Sequence, residues 1–374
     1  MHKILSRFFC LSLTILLVFY CSLTALASPK VSGECACLYL PQNKLFVCSK
    51  NADLRHPMAS TTKIITALVV LENCALSEKV KISPEATGIE GSSVYLKADS
   101  VFTVESLLYA LLLASANDAA AALAIHTAGS IEIFAVLMNE RVASLGATNT
   151  HLTNPHGLAD PQHYTTASDL AIITAAALEN EAFAKIVSTK SKVITSLDGE
   201  CVRTLSNHNR LLRNYKDCVG VKTGFTKDSG RCLVSAAKRD GLLLIAVTLD
   251  ASDDWHDHTA MLDYGFSLYE GRVYEKESIS FTVPVIGGER DHIRISARND
   301  LAFPILRGTQ EPTTQVEINR FAVAPIKAGA TLGVVRYKQG DKTLAVLPLL
   351  AEEGVAAKKT DKNLLDKIKD LLNL

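Results

Sequence analysis

The sequence predicts an α/β fold, an antiparallel sheet with an apolar helix buried against it, followed by a small all-β domain and a terminal amphipathic helix. Three observations predict this. Apolar strand runs stand at both ends of the first part of the chain, at residues 35–40 and 44–48 and again at 219–226, 232–237 and 242–249, with helical runs between them. Beyond Glu270 the helices give way to short alternating strands at residues 279–285, 292–296, 314–323 and 331–337, separated by glycine turns. Residues 363–374 put Leu364, Leu365, Ile368, Leu371 and Leu372 on one helical stripe, with Lys362, Lys367 and Lys369 elsewhere.

At 374 residues the chain is long enough for two domains and a large core. Lysine plus arginine equals aspartate plus glutamate at 39 each, so no global field favours nucleic acid as a partner. Residues 1–27 read as an export leader: Lys3 and Arg7 precede an apolar run from Phe8 to Tyr20, and Ala25-Leu26-Ala27 has the small-x-small form of a cleavage site. An uncleaved anchor is the other reading, for which that run is short. The mature chain then lies outside the cytoplasm. Of nine cysteines, Cys10 and Cys21 fall in the leader; the seven others are an odd number and cannot all pair internally. One disulfide within the first hairpin stays open. Without Cys-x-x-Cys or clustered histidines, the spacing argues against a zinc site, and no metal or cofactor is expected.

Taken in order, residues 35–40 and 44–48 flank Pro41-Gln42-Asn43 as a hairpin. Pro57 then marks the start of a helix whose Ile64, Ile65, Ala67, Leu68 and Leu71 recur on one face. Ser60 lies in its first turn, and residues three apart on a helix are neighbours, so Ser60 and Lys63 come within hydrogen-bonding reach. A serine hydroxyl is a poor nucleophile until a neighbouring base takes its proton, and a lysine serves only when burial or nearby cations lower its pKa. Ser-x-x-Lys alone is weak. Ser235-Ala236-Ala237-Lys238 repeats it within a strand, where the two side chains point to opposite faces.

An apolar run at residues 104–114 is interrupted by Ser115-Ala116-Asn117-Asp118 before an alanine-rich helix to Ala128. That break reads as a helix cap, or as a polar group placed for chemistry, and Ser49-Lys50-Asn51 shows that Ser-x-Asn too is weak alone. A helix over 130–144 follows, closed by Gly146. Asn154-Pro155-His156-Gly157-Leu158 and Asp160-Pro161-Gln162-His163-Tyr164 form a loop, in which His156 either braces the chain or touches substrate. Helix returns over 166–178. Residues 219–226 read as a strand carrying Lys222-Thr223-Gly224, a tripeptide found nowhere else in the chain. Arg239-Asp240-Gly241 turns a hairpin between the next two strands, and a helix runs over 255–269.

Ser-x-x-Lys, Ser-x-Asn and Lys-Thr-Gly in that order, after an export signal, form the pattern of the penicillin-recognising serine acyltransferases. Ala59-Ser60-Thr61-Thr62-Lys63, Ser115-Ala116-Asn117-Asp118, Asn154-Pro155-His156-Gly157-Leu158 and Val221-Lys222-Thr223-Gly224-Phe225-Thr226 together resemble the low-molecular-mass penicillin-binding D-alanyl-D-alanine carboxypeptidases. The resemblance covers about residues 33–270 and extends in layout to the β-domain and terminal helix. It implies a β-lactamase/transpeptidase-like α/β domain over 28–270, its antiparallel sheet covered by helices on both faces. A small β-domain over 271–355 and an amphipathic helix over 356–374 would follow, with residues 362–374 in peripheral contact with a membrane or packed on their own domain.

The same resemblance implies roles. Ser60 would attack the carbonyl between two D-alanines of a peptidoglycan stem, with Lys63 as base, giving an acyl-enzyme that water hydrolyses. Ser115 would relay a proton to the leaving amine, and Asn117 would hold the peptide backbone. Lys222 would depress the pKa of Lys63 and attract the terminal carboxylate, to which Thr223 donates. Gly224 and Phe225 follow on the strand, and the N–H groups of Ser60 and Phe225 would form the oxyanion hole. His156, Arg210 and Arg231 are further candidates, the arginines for carboxylate. A β-lactam would acylate Ser60. Phe225 stands where some relatives have histidine, which leaves stem preference open. An endopeptidase acting on D-alanyl cross-links is a near alternative. A β-lactamase would need the Glu-x-x-Leu-Asn loop of class A, which does not occur between Asn117 and Lys222, and an inactive wall-binding protein would have lost one of these groups.

Overall fold

The computed structural model describes residues 27–358. The leader expected at residues 1–27, apart from its last residue, and the expected terminal amphipathic stripe lie outside the described residues.

β1 (Cys35–Leu40) and β2 (Leu45–Lys50) form the first hairpin, and a 3-10 turn, Ala59–Thr62, leads into α1 (Lys63–Asn73). A small ribbon of β3 (Lys79–Lys81) and β4 (Val101–Thr103) precedes α2 (Val104–Leu113), α3 (Asn117–Ala128) and α4 (Ile131–Ser144). Then come α5 (Ala167–Glu179), α6 (Glu181–Ser188), the hairpin of β5 (Ser191–Thr195) and β6 (Val202–Ser206), and the short α7 (Leu211–Asn214). Hydroxyl and amide caps set these helix starts: the side chains of Thr103, Ser130, Thr166 and Asn180 each accept from backbone N–H groups of the first turn. β7 (Cys218–Thr226), β8 (Gly230–Arg239), β9 (Leu242–Leu249) and α8 (Asp254–Leu268) complete this part.

The main sheet is antiparallel in the order β2-β1-β9-β8-β7, so the first strand lies beside the last, with Cys35 opposite Leu249. Strand side chains alternate between faces. Ala36, Leu38, Leu40, Ala237, Leu244 and Ala246 meet Met261, Leu262 and Phe266 of α8, whereas Cys35, Cys37, Tyr39, Val234, Ile245 and Val247 face the helical core on the other side. Helices therefore cover both faces. All six positions of β1 are buried, which explains its continuous apolar run.

The α1 stripe was expected on one face, yet every side chain from Lys63 to Val70 is buried, because α1 is packed among α2, α3, α4, α5 and β7. The disulfide left open in the first hairpin does not form, and all seven cysteines of the described residues are free thiols. Cys37 faces the helical core, where its Sγ lies 3.2 Å from the Ala167 carbonyl, while Cys48 packs toward the α8 face.

β10 (Tyr269–Tyr274) begins where α8 ends, so the helix read to residue 269 stops at Leu268. β11 (Ser280–Ile286), β12 (His292–Ser296), β13 (Leu301–Leu306), β14 (Thr313–Ile318), β15 (Ala322–Val323), β16 (Thr331–Gln339) and β17 (Lys342–Ala351) follow. β10 pairs with β13, and the others form a six-stranded sheet in the order β14-β16-β17-β12-β11-β15. Val283, Ile295, Val335 and Leu349 close over Phe303 and Ile305, and Tyr274, Phe303 and Tyr337 form one aromatic cluster. The single strand read over 314–323 is two, on opposite edges of the sheet, divided at Asn319, whose N–H donates to the Leu332 carbonyl.

The two parts meet where β10 crosses the β8–β9 turn. A Cβ on Gly271 would overlap the Asp240 carbonyl and sit 3.0 Å from Leu242 N, so only glycine admits this approach. Gly271→Ala should therefore cost about 1–3 kcal/mol by overpacking rigid backbone. The expected result is a lower thermal midpoint, while an unchanged midpoint would show that the junction yields freely.

Candidate active site

The turn that carries Ser60 is tighter than the α-helical turn expected. The Met58 carbonyl accepts from Thr61 N at 3.2 Å and Thr61 Oγ1 at 2.6 Å, Thr62 Oγ1 donates to the Ala59 carbonyl at 2.8 Å, and Ala59 takes φ 46°. These bonds wind residues 59–62 as 3-10 helix, in which side chains at i and i+3 eclipse. Ser60 and Lys63 accordingly stand in line, with Lys63 Nζ 2.9 Å from Ser60 Oγ.

Lys63 is fully buried. Its amine donates also to Asn117 Oδ1 and to the His156 carbonyl, each at 2.7 Å. Burial, reinforced by the Lys222 cation, holds its pKa well below the ordinary lysine value, while Asp118 pulls the other way. Neither an amide oxygen nor a peptide carbonyl can donate. A neutral Lys63 must spend its two hydrogens on them, which leaves its lone pair directed at the Ser60 hydroxyl.

Ser115 sits between α2 and α3 in the left-handed conformation, φ 59°, and is buried. Such backbone strain is held by its surroundings, and here the Asn117 N–H donates to the Ser92 carbonyl at 2.7 Å. The amide of Asn117, expected to hold substrate, is committed to Lys63 through Oδ1 and to the Glu90 carbonyl through Nδ2 at 2.5 Å. Next to it, Asp118 is fully buried and accepts from Ser93 Oγ, Val94 N and Leu96 N, which pins the loop over the cleft.

β7 forms the opposite wall. A Cβ on Gly224 would lie 3.0 Å from Ser60 N and 3.1 Å from Thr61 N, so the strand runs directly beside the Ser60 turn. Lys222 on the same strand is buried, its Nζ donating to the Thr223 carbonyl at 2.8 Å, and burial lowers its pKa to about 7. A cavity of about 490 Å³ is lined by Ser60, Ser115, Thr223, Gly224, Phe225, Arg210 and Arg231. The Phe225 ring is 66% exposed at its rim. Arg231 is paired with Asp254 at 2.6 Å, whereas Arg210 has no carboxylate partner among the described residues.

His156 enters through its backbone. Its buried ring, its pKa pushed down to about 3 by desolvation and then by Lys63, accepts from Leu158 N at 3.3 Å instead of reaching the cleft. His163 braces the turn: Nε2 lies 2.8 Å from Thr62 Oγ1, and Nδ1 accepts from Thr153 N at 3.1 Å. A Cβ on Gly157, at φ 85°, would overlap the Ala59 carbonyl. Sequence reasoning did not single out Asp118, His163, Ser92, His208 or Trp255 for the site. His208 and Trp255 line the cavity, and burial followed by the Lys222 charge lowers the His208 pKa. Trp255 is the only tryptophan of the chain, a rarity that could have marked it.

Residues 25–253 match the family model described as D-alanyl-D-alanine carboxypeptidase, and residues 270–357 match that of the penicillin-binding protein 5 C-terminal domain. Among curated relatives, the D-alanyl-D-alanine carboxypeptidase DacF of Bacillus subtilis (strain 168) is 32% identical over 82% of this chain and 81% of its own. Among solved structures, penicillin-binding protein 5 of Haemophilus influenzae superposes with TM-score 0.65 at 27% identity, covering 88% of this chain and 99% of that one. The D-alanyl-D-alanine carboxypeptidase DacD of Francisella tularensis gives TM-score 0.63 at 26% identity over 89% and 95%.

The lowered lysine pKa has a stability consequence of definite sign. Unfolded, Lys222 titrates near 10.5, and folded near 7, so between these values the unfolded chain binds the additional proton and stability rises with pH. Below about pH 7 the folded state must carry a buried ammonium. Lys222→Met should raise the thermal midpoint at about pH 6, with the gain shrinking toward about pH 10. A variant that melts lower than the parent at about pH 6 would show that the ammonium is well solvated in place.

Proposed function

Because the chain belongs to the D-alanyl-D-alanine carboxypeptidase family, peptidase family S11, we propose that Ser60 is its nucleophile, Lys63 its base, and Ser115 its proton relay. The protein is a serine-type D-Ala-D-Ala carboxypeptidase, an extracytoplasmic enzyme whose substrate is the peptidoglycan stem peptide. The observation that carries the assignment of roles is the 2.9 Å contact between Lys63 Nζ and Ser60 Oγ, made by an amine whose other two hydrogen-bonding directions end on carbonyl oxygens.

The terminal carboxylate of the stem is held by the Lys222 ammonium, the Thr223 hydroxyl and Arg210, the cation of this cleft that Asp254 does not neutralise. The scissile carbonyl then lies over Ser60, its oxygen toward the N–H groups of Ser60 and Phe225, an arrangement supported by the close approach of Gly224 to the Ser60 turn. Lys63 takes the hydroxyl proton as Oγ attacks. Ser115 gives its hydroxyl proton to the departing D-alanine amine and regains one from protonated Lys63, so that Lys63 is neutral again and the acyl-enzyme forms with no net charge left on the nucleophile. Water, deprotonated by Lys63, releases the shortened stem and returns the proton. Asn117 positions Lys63 through its amide oxygen, a role supported by the 2.7 Å contact and additional to the backbone contact expected from sequence.

A β-lactam presents its strained amide to the same nucleophile, and the acyl-enzyme persists because the leaving group stays tethered. The leader at residues 1–27 accounts for export, and residues 362–374 would bring the enzyme to the membrane face. Among the described residues no single helix is long and apolar enough to cross a membrane.

The purified enzyme should release free D-alanine from a pentapeptide stem, with Ser60→Ala reducing release to the uncatalysed level. Undiminished release by that variant would remove Ser60 from the mechanism. In parallel, bound penicillin should persist on Ser60 for minutes, and rapid turnover would instead mark a β-lactamase. Release from a cross-linked dimer at the same rate as from a free stem would make the enzyme an endopeptidase as much as a carboxypeptidase.

A further inference from the structure

The helices that begin at the active site, α1 with Lys63 and α3 with Asn117, are in contact at both ends. At their starts Lys63 Nζ meets Asn117 Oδ1 at 2.7 Å, and at their far ends Cys74 Sγ, just past α1, lies 3.4 Å from Thr127 Oγ1 in the last turn of α3. Cys74, Glu78 and His126 gather at this far junction, their ligand atoms all within 4.8 Å of one another.

We propose that Cys74, Glu78 and His126 form a zinc site. Thiolate, imidazole and carboxylate are the three protein donors that zinc takes, and three of them with a water complete a tetrahedron. The geometry suits that ion. His126 Nε2 and Glu78 Oε2 are 3.2 Å apart, close to the roughly 3.3–3.5 Å edge of a tetrahedron with zinc–ligand bonds of about 2.0–2.2 Å. The loop between Cys74 and Glu78 is already fixed: Cys74 N donates to the Val70 carbonyl at 2.8 Å, Glu78 N to the Ala75 carbonyl at 3.0 Å, and Ala75 N to Glu78 Oε1 at 2.5 Å. Glu78 therefore keeps Oε2 free of the backbone and aimed at His126. On the neighbouring helix, Thr127 Oγ1 donates to the Leu123 carbonyl at 2.7 Å and holds the position from which it meets the Cys74 sulfur. Glu78 is exposed, and Cys74 and His126 are half-buried, so an ion reaches all three from solvent.

Binding balances in charge. Burial raises the Cys74 thiol, which gives up its proton as the zinc–sulfur bond forms, and the neutral imidazole and ionised carboxylate supply the other two electron pairs. One proton leaves per zinc bound, and the complex of Zn²⁺ with one thiolate and one carboxylate is neutral. The sequence argued against zinc because no two ligands share a Cys-x-x-Cys spacing; the fold instead brings His126 of α3 to a loop that follows α1. A metal here would fasten the far ends of the two helices whose near ends hold Lys63 against Asn117.

Cobalt(II), added to the reduced full chain, is the probe. A single equivalent should produce the near-ultraviolet thiolate-to-cobalt charge-transfer band and the visible bands of a four-coordinate ion, and zinc should abolish both. Cys74→Ser should lose the charge-transfer band, and His126→Ala should weaken cobalt affinity by more than about tenfold, the lower end of the loss seen even for outer-shell partners. Should Cys74→Ser melt early, Glu78→Gln, an exposed and isosteric change, should show the same tenfold loss. No charge-transfer band in the parent chain, a band that survives Cys74→Ser, or an affinity unmoved by Glu78→Gln would each overturn the site.

Discussion

An amine that must give up its proton inside a protein is the constraint from which the site is built. Water stabilises an ammonium strongly, so the Lys63 pKa falls well below the ordinary lysine value because the fold denies the amine water and places a second cation, Lys222, in the facing wall. Those conditions oppose folding. A buried pair of lysines is a liability that the core around α1 must outweigh, and the surrounding elements show how it does so. α1 is enclosed on every side, the acceptors for Lys63 come from two other segments, and Asp118 supplies one buried negative charge nearby.

Close backbone approach is the second device. Gly157 and Gly224 let a loop and a strand press on the Ser60 turn from two directions, and His163 ties the loop to Thr62. The turn has no freedom to relax into regular α-helix. Its tighter winding is what lines up the hydroxyl with the amine. Left-handed backbone at Ala59 and Ser115 thus stands on two sides of the cleft, next to Ser60 and two residues before Asn117, where rigid neighbours sustain it.

Much of this was legible in the sequence, and the parts that were not share a cause. Ser60, Lys63, Ser115, Lys222 and Thr223 could be picked out because the chemistry proposed for them needs fixed residue types at short spacings, and the structure brings Lys63 to Ser60 and lines one cavity with Ser60, Ser115 and Thr223. The helices over 130–144 and 166–178 were read where Ser130 and Thr166 prove to cap them, whereas α6, capped by Asn180, was not read at all. What escaped depends on contacts between distant segments. Asp118 reads as a helix cap until the loop it holds is folded over it, and His163 has no local pattern to mark its bond to Thr62. His156 was noticed for its ring, yet its carbonyl is what reaches Lys63. In the β-domain, residues 314–323 alternate as one strand would, and only the pairing of Asn319 with Leu332 shows where the chain leaves one edge of the sheet for the other.

The place of β1 between β2 and β9 governs when the enzyme comes into being. A polypeptide delivered amino end first exposes Cys35–Leu40 early, but the neighbour that fills its inner side, Leu242–Leu249, emerges after the whole helical layer has been made. Closing so long a loop is slow, because its entropy is lost before the pairing repays it. The newborn chain therefore carries an apolar strand paired on one edge only and a scattered set of reactive groups until its last central strand arrives, and hydrolytic competence appears in one late step.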